Sequence, residues 1–252
     1  GDLVALVTGT SEVTHYLAPE STEAHLERIL QRIYTDTRLD GAPSNLRAQQ
    51  VHLANHFLAD LDSVQGIDRL IYTENLAEYG VILPTHIPSS VISNRYPLGF
   101  ASNHNQAFEG CDNTCFCVAD PGLRLLEDPF PRLLECFKDP TVGVVAPLVL
   151  NPAGTPEDNA RHFPTPWNLG RKLLGLEDGR YHLQPGLQPS AVEIEWAAGM
   201  FLLFRAEAFR DVGGFDAKFY LYYEDVDICA RLWKNGWKVL CETGVTVVHE
   251  AQ

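Results

Sequence analysis

Four apolar runs in this chain stop on polar or acidic residues, and that shared ending constrains the fold more than any other feature. Leu3 to Val7 runs into Thr8-Gly9-Thr10, and Ile67 to Thr73 runs into Glu74-Asn75. Val91-Ile92-Ser93 runs into Asn94, and Cys115 to Ala119 stops at Asp120-Pro121. Short apolar runs bounded by turn residues read as buried strands. Between the first two lie two amphipathic stretches. One runs from about Thr22 to Tyr34, with Leu26, Ile29, Leu30 and Ile33 on one face; the other has Ser44 as N-cap and a stripe of Leu46, Leu53, Ala54, Phe57, Leu58 and Leu61. Strands alternating with helices, without an internal repeat, predict an α/β sheet with parallel strands at its centre. In open sheets of that kind ligands bind beyond the carboxyl ends of the strands, where these polar residues gather.

Later elements follow the same reading. Gly99 to Asn105 opens a short helix, and Asp128-Pro129 starts another through Phe137, ended by Asp139-Pro140. Val142 to Leu150 and Ala197 to Phe204 read as strands, Ala206 to Val212 as a short helix, and Trp237 to Leu240 and Val245 to Val248 as two closing strands. Residues 151–192, rich in Pro and Gly, read as a loop able to form a lid. After Gly213-Gly214, an aromatic run from Phe215 to Tyr223 delivers Glu224, Asp225 and Asp227 to the start of a helix that Asn235-Gly236 stops.

At 252 residues the apolar content suffices for a sizeable core, and the sequence reads as one domain. A net charge of −14 argues against nucleic acid or an anionic membrane surface as main partner. No apolar run is long enough to span a bilayer, and the first residues lack a signal-peptide pattern. The six cysteines sit mostly in apolar patterns, the usage of reduced thiols in a cytosolic protein. The spacing of Cys111, Cys115 and Cys117 matches no standard structural zinc site.

Several phrases carry a resemblance. They are Ser93-Asn94-Arg95 with Leu98 to Asn105; the strand into Asp120-Pro121-Gly122-Leu123-Arg124; Asp139 to Pro147; Gly199 to Arg205; Val212 to Asp216; Tyr222 to Asp227 through Arg231; and Val247-Val248-His249. In that order and spacing the chain resembles family 2 of the inverting, nucleotide-sugar-dependent glycosyltransferases, and most of all its rhamnosyltransferase-like members. The resemblance is good from Val91 to His249 and weak before it.

It implies a GT-A-type fold, a mixed, mostly parallel sheet flanked by helices. The whole chain would form one catalytic domain, with 1–118 the nucleotide-binding half and 119–252 the metal and acceptor half. The activity implied is transfer of a sugar, with inversion, from a nucleotide-diphosphate sugar to a glycan or lipid-linked saccharide during polysaccharide assembly. That places the protein in the cytoplasm, peripheral to the inner membrane face. Asp225 corresponds to the base, and Trp196, Gly199, Met200 and Glu224 to the acceptor wall. Thr8, Glu74, Asn75, Asn94 and Asn103 fall at the nucleotide, and Arg231 at the diphosphate, where a guanidinium suits phosphate. Asp120 and His249 correspond to the residues around a divalent cation, Mn²⁺ or Mg²⁺.

The chain departs from the family pattern in places. Gly122 stands where a second acid is usual, so the cation is expected to be weakly bound or held mainly by the donor diphosphate. Thr8-Gly9-Thr10 replaces Thr-Tyr-Asn, Glu74-Asn75 replaces Asp-Asn, and two helical stretches replace one between the first strands. Relatives usually continue past His249, so a minimal form and a fragment are both open. Other readings are open: Asp120 as a turn cap, His249 as a solvated strand end, Trp196 as core packing, and Arg231 paired with Asp227 one helical turn back. A degenerate fold that binds nucleotide or glycan without turnover is the second hypothesis, motivated by Gly122 and opposed by Glu224-Asp225. A nucleotidyltransferase would need a basic Gly-rich loop that Thr8-Gly9-Thr10 does not provide. No G-x-G-x-x-G follows a strand, which argues against a dinucleotide oxidoreductase.

Overall fold

In a computed structural model, described over residues 3–8, 44–75, 80–165 and 179–250 (backbone alone for 3–8 and 44–48), the apolar runs become strands of one nine-stranded sheet. The strands are β1 Leu3–Thr8, β2 Ile67–Glu74, β3 Ser89–Ser93, β4 Cys115–Ala119, β5 Leu123–Arg124, β6 Val142–Leu150, β7 Ala160–Arg161, β8 Ala191–Glu193, β9 Trp196–Ala197, β10 Phe201–Arg205 and β11 Lys238–His249. The helices are α1 Ser44–Asp60, α2 Phe100–Phe108, α3 Phe130–Cys136, α4 Ala206–Asp211 and α5 Glu224–Lys234. The main sheet runs β3-β2-β1-β4-β10-β6-β11-β5, with β8 paired to β11, while β7 and β9 form a separate two-stranded ribbon. β1 pairs in parallel with both β2 and β4, and β3 with β2, so their carboxyl ends share one edge. β10 enters antiparallel between β4 and β6, which makes the sheet mixed.

Strand residues sort by parity onto the two faces, as a period of two requires. Cys115, Cys117, Phe201, Leu203 and Val145 face one core with Phe57, Leu58 and Leu61 of the α1 region and Phe130 and Leu133 of α3. Phe116, Val118, Leu202, Phe204 and Val144 face the other core with Ala101 and Ala107 of α2, Phe209 of α4, and Ile228 and Leu232 of α5. Every residue of β4 is buried, because helices cover both faces. The cysteines are free thiols, and all but Cys136 are buried.

Several element boundaries differ from expectation. The expected strand from Ala197 to Phe204 breaks at Ala198–Met200, and its first part pairs with β7 outside the main sheet. The two expected closing strands are one, β11, with its register against β6 shifted between Glu242 and Thr246. The buried Glu242 carboxylate fills that irregularity, accepting the Gly244 N–H at 2.8 Å and the Ser190 hydroxyl at 3.1 Å. Helix α3 begins at Phe130 with Pro129 as its N-cap in place of Asp128, whose carboxylate takes the Phe130 N–H at 3.0 Å from one residue further out. Residues 151–192 include two short strands and so are not wholly loop. The stretch Thr22 to Tyr34 and Gly9-Thr10 lie outside the described residues.

Packing of α4 and α5 on β6 is tight at Gly143. A Cβ there would stand 2.8 Å from Trp237 Cβ and 3.2 Å from both Ala208 Cβ and Leu232 Cδ2. Gly143→Ala should therefore destabilise the fold by about 1–3 kcal/mol through overpacking. Urea unfolding reads this as a lower midpoint at constant slope, and an unchanged midpoint would contradict the packing.

Candidate active site

The strand edge becomes a site through a short run of backbone contacts. At the end of β4 the Asp120 N–H donates to the Met200 carbonyl at 2.8 Å. One residue earlier, the Gly199 N–H points away from the sheet and donates to Asp225 Oδ2 at 3.2 Å. The expected metal-side acid, the acceptor-wall backbone and the expected base are thus linked within a few residues. Gly199 has no room for a side chain without displacing Phe100, whose ring carbon lies 3.0 Å from the Cβ position. Gly99 is held more tightly still, because its Cβ position falls on the Tyr220 carbonyl. Phe100 donates its N–H to that same carbonyl at 3.1 Å. The start of α2 and the run into α5 are therefore locked together beside the site.

Helix α5 presents its acids in two environments. Asp225 is half-buried; Oδ1 accepts the Val226 N–H at 2.8 Å and Oδ2 the Gly199 N–H. Burial pushes its carboxyl above the usual range, while those N–H groups and the charge of Arg161 pull the other way. Glu224 is buried, and its Oε2 has no hydrogen-bond partner among the described residues. Burial, reinforced by the charge of Asp225, pushes Glu224 up to about 7. Tyr222 and Tyr223, just before the helix, have φ of 69° and 68°, the left-handed region that bulky residues rarely enter.

The three expected asparagines meet in one network. Asn94 Nδ2 donates to Asn103 Oδ1 at 2.8 Å and to Asn75 Oδ1 at 3.1 Å, and Asn75 holds Leu98 through both its N–H and its carbonyl. Asn103 is buried and also reaches the Leu98 carbonyl. These amides shape the loop before Gly99. Glu74 accepts the Ser93 hydroxyl at 2.8 Å. Thr8 ends β1 opposite Thr73, and its side chain lies outside the described residues.

The Arg231 guanidinium, expected at the diphosphate, binds Asp227 at 2.6 Å and the carbonyls of Val212 and Gly214 at 2.6 and 2.7 Å. The Asp227 contact is the pairing one helical turn back, and the two carbonyls hold the Gly213-Gly214 turn. Asp120 and His249, the residues expected around a cation, each have a partner within the protein. Asp120 Oδ1 accepts the Gly122 N–H at 2.7 Å, a turn cap, and His249 Nδ1 lies 3.2 Å from Glu157 Oε2. Among the described residues, no three His, Cys, Asp or Glu side chains are placed to share a metal.

Trp196 packs partly into the second core, donates Nε1–H to the His162 carbonyl at 2.9 Å, and carries the Arg161 guanidinium 5.6 Å over its ring. Sequence reasoning missed Arg161, whose ribbon has no strong pattern. It also missed Asn105, which binds both the N–H and the carbonyl of Phe215 at 2.9 and 2.7 Å. The phrase Asn103-His104-Asn105 was the available signal for that clamp.

Residues 83–252 match the profile of the family described as Glycosyltransferase (GlcNAc). The chain belongs to this family. Among curated relatives, it is 35% identical over 139 residues to the N-acetylglucosaminyl-diphospho-decaprenol L-rhamnosyltransferase of Mycobacterium tuberculosis, covering 52% of this chain and 45% of that one. The chain thus spans less than half the length of that relative. Among solved structures, it is similar to GalNAc-T7 with UDP, GalNAc and Mn²⁺ at a TM-score of 0.59 and 14% identity, over 78% of this chain and 40% of that one. It is also similar to a mannosyltransferase from Pyrobaculum calidifontis with GDP-Man and Mn²⁺ at a TM-score of 0.55 and 13% identity, over 80% and 54%. The fold of this family member is the expected GT-A type, rhamnosyltransferase-like in sequence.

Glu224 gives a pH-dependent test of the site's burial. Its folded pKa lies above its unfolded value of 4.5, so the folded state holds the proton more tightly. Below about pH 4.5 both states are protonated and burial of the charge costs nothing; as pH rises toward 7 stability is lost, and above 7 the loss is complete. Glu224→Gln should therefore gain relative to the parent between pH 5 and 8, by roughly 2–3 kcal/mol at most. Urea midpoints at the two pH values measure it. A difference independent of pH would show that Glu224 is not buried as described.

Proposed function

We propose that this chain is the catalytic domain of an inverting glycosyltransferase, with a nucleotide-diphosphate sugar as donor and a saccharide on a glycan or lipid diphosphate as acceptor. Residues 1–118 form the donor half and 119–252 the acceptor half. Placement of Asp225 carries this reading. Its carboxylate stands at the first turn of α5, fixed by Gly199, beside the strand ends where Glu74, Asn94 and Asp120 collect. The N-acetylglucosaminyl-diphospho lipid in the named relative's description supports this acceptor class, and the cytoplasmic membrane face is where such an acceptor would be met.

In this reading the acceptor hydroxyl oxygen attacks the anomeric carbon of the donor. The nucleoside diphosphate leaves with the bonding electron pair, and the hydroxyl proton passes to Asp225. Two backbone N–H groups fix the carboxylate while further lone pairs remain to accept that proton. Burial makes it a stronger base than a solvated aspartate. Glu224, neutral over part of the physiological range, can donate a hydrogen bond to the acceptor and hold it in line.

The donor set does not fit a cation cage of the protein's own. Both structural neighbours hold Mn²⁺, and a cation arriving with the donor diphosphate and touching Asp120 is the form of metal dependence these residues support. No step is assigned to it. The missing acid at Gly122 and the engaged Arg231 favour one rival, a domain that binds nucleotide without turnover.

Asp225→Asn separates the two. A nucleoside diphosphate at a hundred times its dissociation constant should stabilise parent and variant alike by about 2.7 kcal/mol. Transfer to a water-soluble GlcNAc-diphospho-isoprenoid should fall roughly 10²- to 10⁴-fold in the variant. Near-parental transfer by the variant would move the base elsewhere; nucleotide binding with no transfer by the parent would favour the binding module.

A further inference from the structure

Two consecutive tyrosines in the left-handed region stand immediately before the helix that carries Asp225. Tyr222 and Tyr223 have φ of 69° and 68°, and Tyr223 is the N-cap of α5 with ψ of −7°. Such a placement is disfavoured for any residue with a Cβ, which crowds the following carbonyl oxygen there. Glycine would adopt it freely, and asparagine with less penalty. Folding does not repay the cost through packing, because the two side chains are 68% and 59% exposed. Neither ring makes an aromatic contact within the described residues, in contrast to Phe100, Phe204, Phe209 and Phe215, whose rings pack edge to face on one another.

The backbone is nonetheless firmly held. The Tyr220 carbonyl takes the Phe100 N–H and presses on Gly99, while the Tyr223 carbonyl takes the Asp227 N–H at 2.9 Å. These two anchors bracket the exposed tyrosines, which directly precede the first turn of the helix that carries Asp225. Strain of this kind persists where the surroundings over-determine it, and it clusters at ligand sites. A tyrosine offers an apolar face and a polar rim, which suits the mixed C–H and hydroxyl surface of a sugar ring.

We infer that Tyr222 and Tyr223 form an aromatic platform that stacks on the acceptor saccharide and sets its approach to Asp225. The inference rests on the glycosyltransferase reading above and names the acceptor-side residues of that same site. The donor is not their ligand, because Glu74, Asn94 and Asp120 at the strand ends supply the nucleotide side. The strained backbone is held for the rings, so the rings, more than the hydroxyls, carry the contact.

Four single variants and one double variant test this with the soluble GlcNAc-diphospho-isoprenoid as probe. Tyr222→Ala and Tyr223→Ala should raise the KM for the probe about tenfold or more, a loss of ~1.4 kcal/mol, with nucleotide affinity unchanged. Tyr222→Phe and Tyr223→Phe should keep KM near the parent value. The double Tyr222→Gly, Tyr223→Gly variant should melt within about 2 °C of the parent or above it, since strain relief offsets the added freedom of the unfolded chain, yet share the KM defect. An unchanged KM in the alanine variants overturns the platform, as does a glycine variant that melts far below the parent, which would make the tyrosines structural. Where the parent binds nucleotide but transfers nothing, NMR shifts of the Tyr222 and Tyr223 ring protons during probe titration decide: shifts support the platform, and their absence overturns it. Loss of nucleotide binding in the parent strikes the glycosyltransferase reading instead, and the same ring shifts still judge the platform.

Discussion

The site depends on one interruption of the sheet. Had the chain continued in extended form from Trp196 to Arg205, the Gly199 N–H would belong to a sheet ladder. The break at Ala198–Met200 divides the backbone between two tasks. Met200 keeps its carbonyl on Asp120 at the end of β4, and Gly199 turns its N–H to Asp225. Without the break Asp225 would keep the Val226 N–H but lose that of Gly199, so the break completes the pair of donors that holds this half-buried carboxylate. Phe100 closes the arrangement from the other side, against Gly199 and beneath Tyr220.

The electrostatics follow from that construction. A chain with a net charge of −14 still places two acids side by side at a helix start, and burial acts on both. The helix N-terminus, the Gly199 N–H and the nearby Arg161 favour the anion at Asp225. Glu224 lies deeper, has an oxygen without a partner, and keeps its proton to about pH 7. Neighbouring carboxyls in unlike environments are the arrangement by which one fold can offer a proton acceptor and a hydrogen-bond donor together.

Much of this was legible in the residues. The carboxyl-end edge was readable from the polar residues that close β1 to β4, and the helix of Asp225 from its first-turn acids and Asn235-Gly236. What escaped depended on tertiary context. The Asp227 partner of Arg231 was readable from spacing, whereas its contacts with the Gly213-Gly214 turn were not. The merging of two strands into β11 rests on Glu242 filling a register shift that no local pattern marks. Left-handed backbone at Tyr222 and Tyr223 carries no sequence signal, because residues that announce that conformation are glycine and asparagine. Asp120 has a turn-cap reading in the sequence, and the Gly122 N–H on its carboxylate matches it.

The central claim is that a single base at Asp225 drives a single displacement at the anomeric carbon. Such a displacement turns the configuration over once, whatever sugar the donor carries. NMR of the isolated product reads that configuration through the one-bond carbon–proton coupling at the anomeric centre, which differs between α and β linkages for every pyranose. The account predicts a linkage of configuration opposite to that of the donor sugar, such as a β-linked product from an α-linked donor. A product that retains the donor's configuration would contradict it, since retention needs a different reaction course from the one assigned to Asp225.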